Sequence, residues 1–237
     1  MSRTVIAFLL LAALFVAGAL VWMLTRPGAE PALDQAARLD SPYWTGDDRL
    51  VDVDGVMARV RSEGPADAPV IVMVHGFSYS LESWDAWAED LGADYRVIRL
   101  DLPGHGLTGP DPQQRYSVPQ TVDFLGSLLD ELGLDHVTLA GNSLGGLVSW
   151  RLAAERPDLV SRLVLVAPGA YSINGVTEEP VAVPMAVSFY LTSAPEAMVA
   201  AASAGLFGDV SRMDPALPAR VHALMNTPGV GQALVER

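Results

Sequence analysis

Apolar positions change their spacing several times along the chain, and each change marks an element. Residues 5–24 form one uninterrupted apolar run of twenty residues without a charge. At about 1.5 Å of rise per residue, a helix of that length spans roughly 30 Å, the hydrocarbon thickness of a bilayer. Residues 50–60 then alternate apolar and polar side chains around Asp54-Gly55, the pattern of a β-hairpin. Val70-Ile71-Val72-Met73-Val74 is apolar throughout, as expected of a strand covered on both faces. Helical spacing follows over 84–91, a strand over 95–100, and a Gly- and Pro-containing loop over 103–112. A helix opened by Ser117 is expected over 118–132, a strand over 137–140, a helix over 144–155 stopped before Pro157, and a strand over 163–166.

Strands alternating with helices imply right-handed crossovers and a mostly parallel sheet with helices on both faces, an α/β fold. Beyond Pro168 the pattern breaks. Residues 172–237 hold helical stretches punctuated by Pro180, Pro184, Pro195, Pro215, Pro218 and Pro228, with no β run, and read as a helical cap. The expected organisation is thus an anchor over 1–26, a linker over 27–42, an α/β core over 43–170 and a cap over 171–237.

Two readings compete for residues 5–24. Ala17-Gly18-Ala19 has the small residues of a signal-peptide cleavage site, but the apolar run continues through Leu24 and carries Trp22 near its end. The length favours an uncleaved single-pass helix. Arg3 and Arg26 flank it on opposite sides, so the charge rule tilts only slightly toward an extracytoplasmic domain.

The net charge is −13 and all 15 basic residues are arginine, which argues against a nucleic-acid partner. There is no cysteine, so a thiol nucleophile, a thiolate metal site and a disulfide are excluded. No motif calls for a metal or an organic cofactor, and the oligomeric state is not legible.

The chemistry is carried by Gly141-Asn142-Ser143-Leu144-Gly145, placed between an expected strand and an expected helix. A serine on such a turn has a strained backbone, and glycines two residues to either side remove the side chains that would collide. Ser143 then stands at a helix N-terminus, where free N–H groups favour developing negative charge, and the Leu144 N–H is one such donor. Three further segments fall after expected strands or close to them: His75-Gly76-Phe77, Ser83-Trp84 and Asp101-Leu102-Pro103-Gly104-His105-Gly106.

In order and spacing these segments resemble the α/β-hydrolase family over residues 43–170, and the helices beyond 170 resemble its cap. The resemblance implies Ser143 as nucleophile of a capped, esterase- or lipase-like hydrolase, with the Phe77 and Leu144 N–H groups as oxyanion hole. It implies structural roles for His75 and His105, and for the loop that carries Asp101. A serine at the elbow sets the chain apart from the haloalkane dehalogenase and epoxide hydrolase branches, which place an aspartate there.

A hydroxyl needs a base, and the base needs an orienting acid. The single histidine beyond Ser143 is His222, in helical context within the cap, and it is the weak candidate for the base. The position after strand 163–166 reads Ala167-Pro168-Gly169-Ala170 and offers no carboxylate; Glu178, Glu179, Asp209 and Asp214 read as solvated charges, as does His136. Relative to the family the chain therefore reads as lacking the last strands, the acid and the histidine, and little triad-type turnover is expected of it as given. An uncovered sheet edge is the structural counterpart of that expectation.

Three functions remain open at this point. One is membrane-anchored hydrolysis of a carboxylester or lipid-like ester through an acyl-enzyme on Ser143. The second is C–C bond hydrolysis on the same fold, which Gly-Asn-Ser-x-Gly-Gly also resembles. The third is a non-catalytic, membrane-tethered binding protein.

Overall fold

The computed structural model describes residues 33–170 and 182–237. The expected membrane helix over 5–24 lies outside the described residues, as do Glu178 and Glu179. Among the described residues no helix is long and apolar enough to cross a membrane.

Asp48–Val53 (β1) and Val56–Glu63 (β2) form the expected hairpin. Its two-residue turn has Asp54 at φ 49° and Gly55 at φ 85°, the twist that keeps the two strands paired. Val70–Val74 (β3), Arg96–Leu100 (β4), Val137–Asn142 (β5) and Val160–Val166 (β6) complete a six-stranded sheet in the order β1-β2-β4-β3-β5-β6. Only β1 and β2 run antiparallel to their neighbours; β4, β3, β5 and β6 are parallel.

Helices cover both faces because the central strands are apolar on both. Val72 and Val74 point with Ile98, Leu100 and Leu139 into a cluster closed by Val118–Glu131 (α3) and Leu144–Glu155 (α4). Ile71, Met73 and Ala140 point the other way, against Trp84 and Ala88 of the turn Leu81–Trp84 and the helix Asp85–Leu91 (α2). Ser117 caps α3 by accepting from the Gln120 N–H while the Gln120 side chain reaches back to the Ser117 N–H, a reciprocal capping box.

The stretch expected as a linker docks on the core from Leu33 onward. Gln35–Leu39 (α1) is capped by Asp34, and the buried Arg38 donates to the carbonyls of Leu107 and Thr108. Strand β6 begins three residues before the expected position: Ser161 and Arg162 break the apolar run, and the pairing with β5 continues past them across a register shift. Among the described residues it is also the end of the sheet, and Leu163, Val164 and Leu165 are each exposed to 37–40%.

The cap is helical, as expected: Met185–Ser193 (α5), Glu196–Ala204 (α6), Leu217–Met225 (α7) and Val230–Glu236 (α8). It has its own apolar cluster, centred on Leu191, Val199, Val221 and Leu234.

Candidate active site

The geometry at Ser143 follows from how little room the chain has between β5 and α4. One residue joins them, and it carries the reversal: Ser143 sits at φ 49°, ψ −113°, a conformation that costs an L-residue about 1–3 kcal/mol. Surrounding hydrogen bonds hold it there. The Ser143 N–H and the Asn142 side-chain amide both donate to the Val166 carbonyl, at 3.1 and 3.0 Å, and the Gly169 N–H donates to the Ser143 carbonyl at 2.8 Å. The flanking glycines are steric necessities. A Cβ on Gly141 would lie 2.5 Å from Ser149 Oγ, and one on Gly145 would run into the backbone carbonyls of Val74 and His75. The Ser143 side chain is exposed, and its hydroxyl makes no hydrogen bond among the described residues.

The loop after β3 comes within contact of this elbow. A Cβ on Gly76 would lie 3.3 Å from Ser143 Cβ and 2.8 Å from Asn142 Oδ1. The backbone N–H groups of Phe77 and Leu144 have no hydrogen-bond acceptor among the described residues. The Gly76 carbonyl, at the other end of the peptide that carries the Phe77 N–H, is held twice. His75 Nδ1 lies 2.8 Å away and the Tyr79 N–H donates to it at 3.2 Å.

His75 Nε2 accepts from the Leu102 N–H at 3.0 Å, so its Nδ1 carries the proton and donates to Gly76. Burial lowers the pKa of His75, and Asp101 nearby only partly offsets that. The His105 ring lies 4.9 Å from His75 and edge-on to Phe77 at 6.0 Å. Burial, with the nearby Arg237 cation, holds His105 well below the usual imidazole range. Both histidines are neutral supports of the loop, in the positions the sequence reading gave them.

A buried ion cluster lies behind this loop and was not anticipated. Arg59 is fully buried and pairs with Asp48 at 2.9 Å, Glu82 at 2.7 Å and Asp101 at 3.3 Å. Arg61 joins through Asp48 at 2.8 Å. Asp101 also accepts from the N–H groups of Leu81 and Leu107 at 2.7 and 2.8 Å, so its oxygens are spent on structure. Burial pushes the Asp101 pKa up, against the pull of Arg59. Burial pushes Glu82 up as well, but Arg59 and the Ser80 hydroxyl outweigh it and leave Glu82 below the usual range. The hairpin alternation places Arg59 and Arg61 as ordinary polar positions, and nothing in the local pattern signals their burial.

Ser143 opens into a cavity of about 960 Å³. Gly76, Phe77 and Ala167 form its core side, and Leu206, Phe207 and Leu217 bring the cap to it. Its mouth is charged: Arg220 of α7 faces Asp85 of α2 at 3.4 Å and Asp214 at 3.7 Å.

No histidine is among the described residues lining this cavity. His222 is kept within the cap, with Nδ1 2.7 Å from the Ala194 carbonyl, and the structure does not bring it to Ser143. Asp209 is used as the N-cap of the turn Val210–Arg212, and Asp214 reaches the cavity only beside Arg220. At the position after β6, Ala167 lines the cavity at φ 42°.

A family model described as alpha/beta hydrolase fold matches residues 69–205. A Bacillus subtilis (strain 168) protein, provisionally named 2-succinyl-6-hydroxy-2,4-cyclohexadiene-1-carboxylate synthase, is 35% identical over 150 residues, 62% of this chain and 54% of that protein. Mouse epoxide hydrolase 4 is 26% identical over 155 residues, covering 62% of this chain and 43% of its own length. The chain thus spans about half the length of the curated relatives it matches. Among solved structures, a hydrolase from Pseudomonas aeruginosa PA01 superposes with a TM-score of 0.59 at 25% identity, over 81% of this chain and 72% of that one. Wild-type Cfl2 from Burkholderia cenocepacia gives 0.57 at 26% identity, over 74% and 64%.

Proposed function

The chain belongs to the α/β-hydrolase fold family, and from that premise we propose that it is a serine hydrolase that forms an acyl-enzyme on Ser143. One observation carries the reading: an exposed serine on a strained elbow, followed by the Leu144 N–H and packed against the loop that carries the Phe77 N–H, neither N–H having an acceptor among the described residues. Attack of the Ser143 Oγ on an ester carbonyl forms the C–O bond of a tetrahedral intermediate, and its oxyanion takes hydrogen bonds from Phe77 and Leu144. Collapse breaks the bond to the leaving oxygen, which takes up the proton given up by the Ser143 hydroxyl and departs as the alcohol, and the acyl group stays on Ser143. Each such donor is worth about 2.7–4 kcal/mol in the barrier.

The substrate class is a carboxylester, with a lipid-like ester favoured by the apolar cap residues Leu206, Phe207 and Leu217 on the cavity. Two relatives of this chain bear names of other chemistries, an epoxide hydrolase and a carboxylate synthase. A serine rather than an aspartate at the elbow separates the chain from the epoxide branch. The second reading, C–C bond hydrolysis, is carried by the Gly-Asn-Ser-x-Gly-Gly run at the elbow. No histidine that could act as base for Ser143 is among the described residues that line its cavity, so slow turnover is expected of these 237 residues as given. Residues 5–24 are proposed to hold the domain at a membrane, on the extracytoplasmic side.

The deciding assay compares short p-nitrophenyl esters with a vinylogous diketone acid, using the whole gene product and its Ser143→Ala variant. Ester cleavage that disappears with Ser143 supports the proposal. Cleavage of the diketone alone moves the chain to the second reading, and Ser143-independent or absent turnover on both sinks the enzymatic one.

A further inference from the structure

We propose that Tyr79 is a positioning residue through which the cap controls the oxyanion hole, an inference that rests on assigning the Phe77 N–H to that hole. That N–H belongs to the peptide joining Gly76 and Phe77. The peptide is planar and trans, so whatever fixes the Gly76 carbonyl fixes the direction of the Phe77 N–H.

Two donors reach that carbonyl. His75 Nδ1–H comes from the core, where its ring is tied to the Leu102 N–H. The Tyr79 N–H closes a four-residue turn over Phe77 and Ser78. Ser78 occupies the left-handed region at φ 59°, which a residue with a side chain holds only when both ends of the turn are secured. One end is Gly76, packed against the elbow.

The other end is secured by the cap. The Tyr79 ring packs against the cap's apolar cluster rather than against the core of the sheet, beside Tyr190. The oxyanion loop is therefore stretched between two bodies: His75 and Gly76 belong to the core, and Tyr79 belongs to the cap. With the cap seated, the turn is closed and the Gly76–Phe77 peptide is held by both donors. When the cap lifts, Tyr79 loses its ring packing, Ser78 relaxes, and the Gly76 carbonyl keeps only His75. A ligand that seats the cap thereby completes the hole that stabilises its own reaction.

Tyr79→Ala removes the ring that packs against the cap cluster, and Tyr79→Phe retains it. Hydrogen–deuterium exchange at the residue-79 amide is the first readout, with the Leu147 amide, bonded to the Ser143 carbonyl, as internal control. Expected are exchange about tenfold faster at residue 79 in Tyr79→Ala, an unchanged Leu147, and wild-type exchange in Tyr79→Phe. Unaltered exchange at residue 79 in Tyr79→Ala overturns the coupling. The second readout is ester turnover by the whole gene product, where kcat falls about tenfold with KM within twofold. Faster exchange with undiminished Ser143-dependent kcat also overturns it. If the wild type has no Ser143-dependent turnover, the hydrolase reading fails, and the exchange measurement still decides whether the loop answers to the cap.

Discussion

At the scale of the residue, the site is held by contacts that leave almost no freedom of substitution. Gly145 shows how that can be measured. Alanine in a helix is ordinarily favoured over glycine by about 1 kcal/mol, but here the new methyl meets the backbone carbonyls of Val74, at the end of β3, and of His75 after it. Gly145→Ala is expected to lower stability by about 1–3 kcal/mol instead of raising it, read from the midpoint of urea unfolding. An unchanged or higher midpoint would show that the elbow is looser than described. The buried histidines give a second test. Their folded-state pKa values are depressed, so between those values and the unfolded value of about 6.5 the unfolded chain binds more protons. Their contribution to stability is complete above about pH 6.5 and is lost as the pH falls below it. The pH dependence of wild-type stability minus that of His105→Asn isolates one of them, and a flat difference between pH 7 and 5 contradicts a neutral, buried His105.

The motif residues were legible because their chemistry is local: a strand, one strained residue and a helix leave a pattern within five positions. Arg59 was not legible, because its burial depends on Glu82 and Asp101, which are distant in sequence and come together only when the loop after β3 folds over the hairpin. Tyr79 was missed for the same reason, since the apolar cluster it packs against is in the cap.

Among the elements, a continuous apolar run located β3 well, since a strand covered on both faces has no other choice. β6 was found but begun too late. Its Ser161 and Arg162 are tolerated because the strand ends the sheet and is covered on neither face along most of its length. That exposure has a consequence in solution. A free strand edge flanked by Leu163, Val164 and Leu165 favours self-association. Light scattering on these 237 residues is expected to show mass rising with concentration, and Leu165→Lys to reduce it; a strictly monomeric wild type contradicts the expectation. The stretch over 27–42 was read as a linker from its Pro and Ala content. Leu33 and Arg38 instead dock on the loop around Leu107, a contact that only the folded loop supplies.

For the whole molecule, the fold class followed from the alternation of strands and helices, while the joining of core and cap into one cavity did not. The cavity depends on Leu206, Phe207 and Leu217 meeting Phe77 and Ser143 across elements that share no sequence pattern. The proposed tether is tested at this scale. The whole gene product is expected in the membrane fraction after a carbonate wash, and a version lacking residues 1–26 in the supernatant; equal partitioning of the two removes the anchor. The central claim is that Ser143 is a nucleophile facing a formed oxyanion hole, and it has a direct measurement. A fluorophosphonate probe places its phosphoryl oxygen where an ester's oxyanion would lie, and the hole alone retains part of the reactivity when the base is absent. Mass spectrometry of the labelled, folded protein should find the adduct on the peptide containing Ser143 and none in Ser143→Ala; a folded wild type with no adduct at Ser143 would contradict the account.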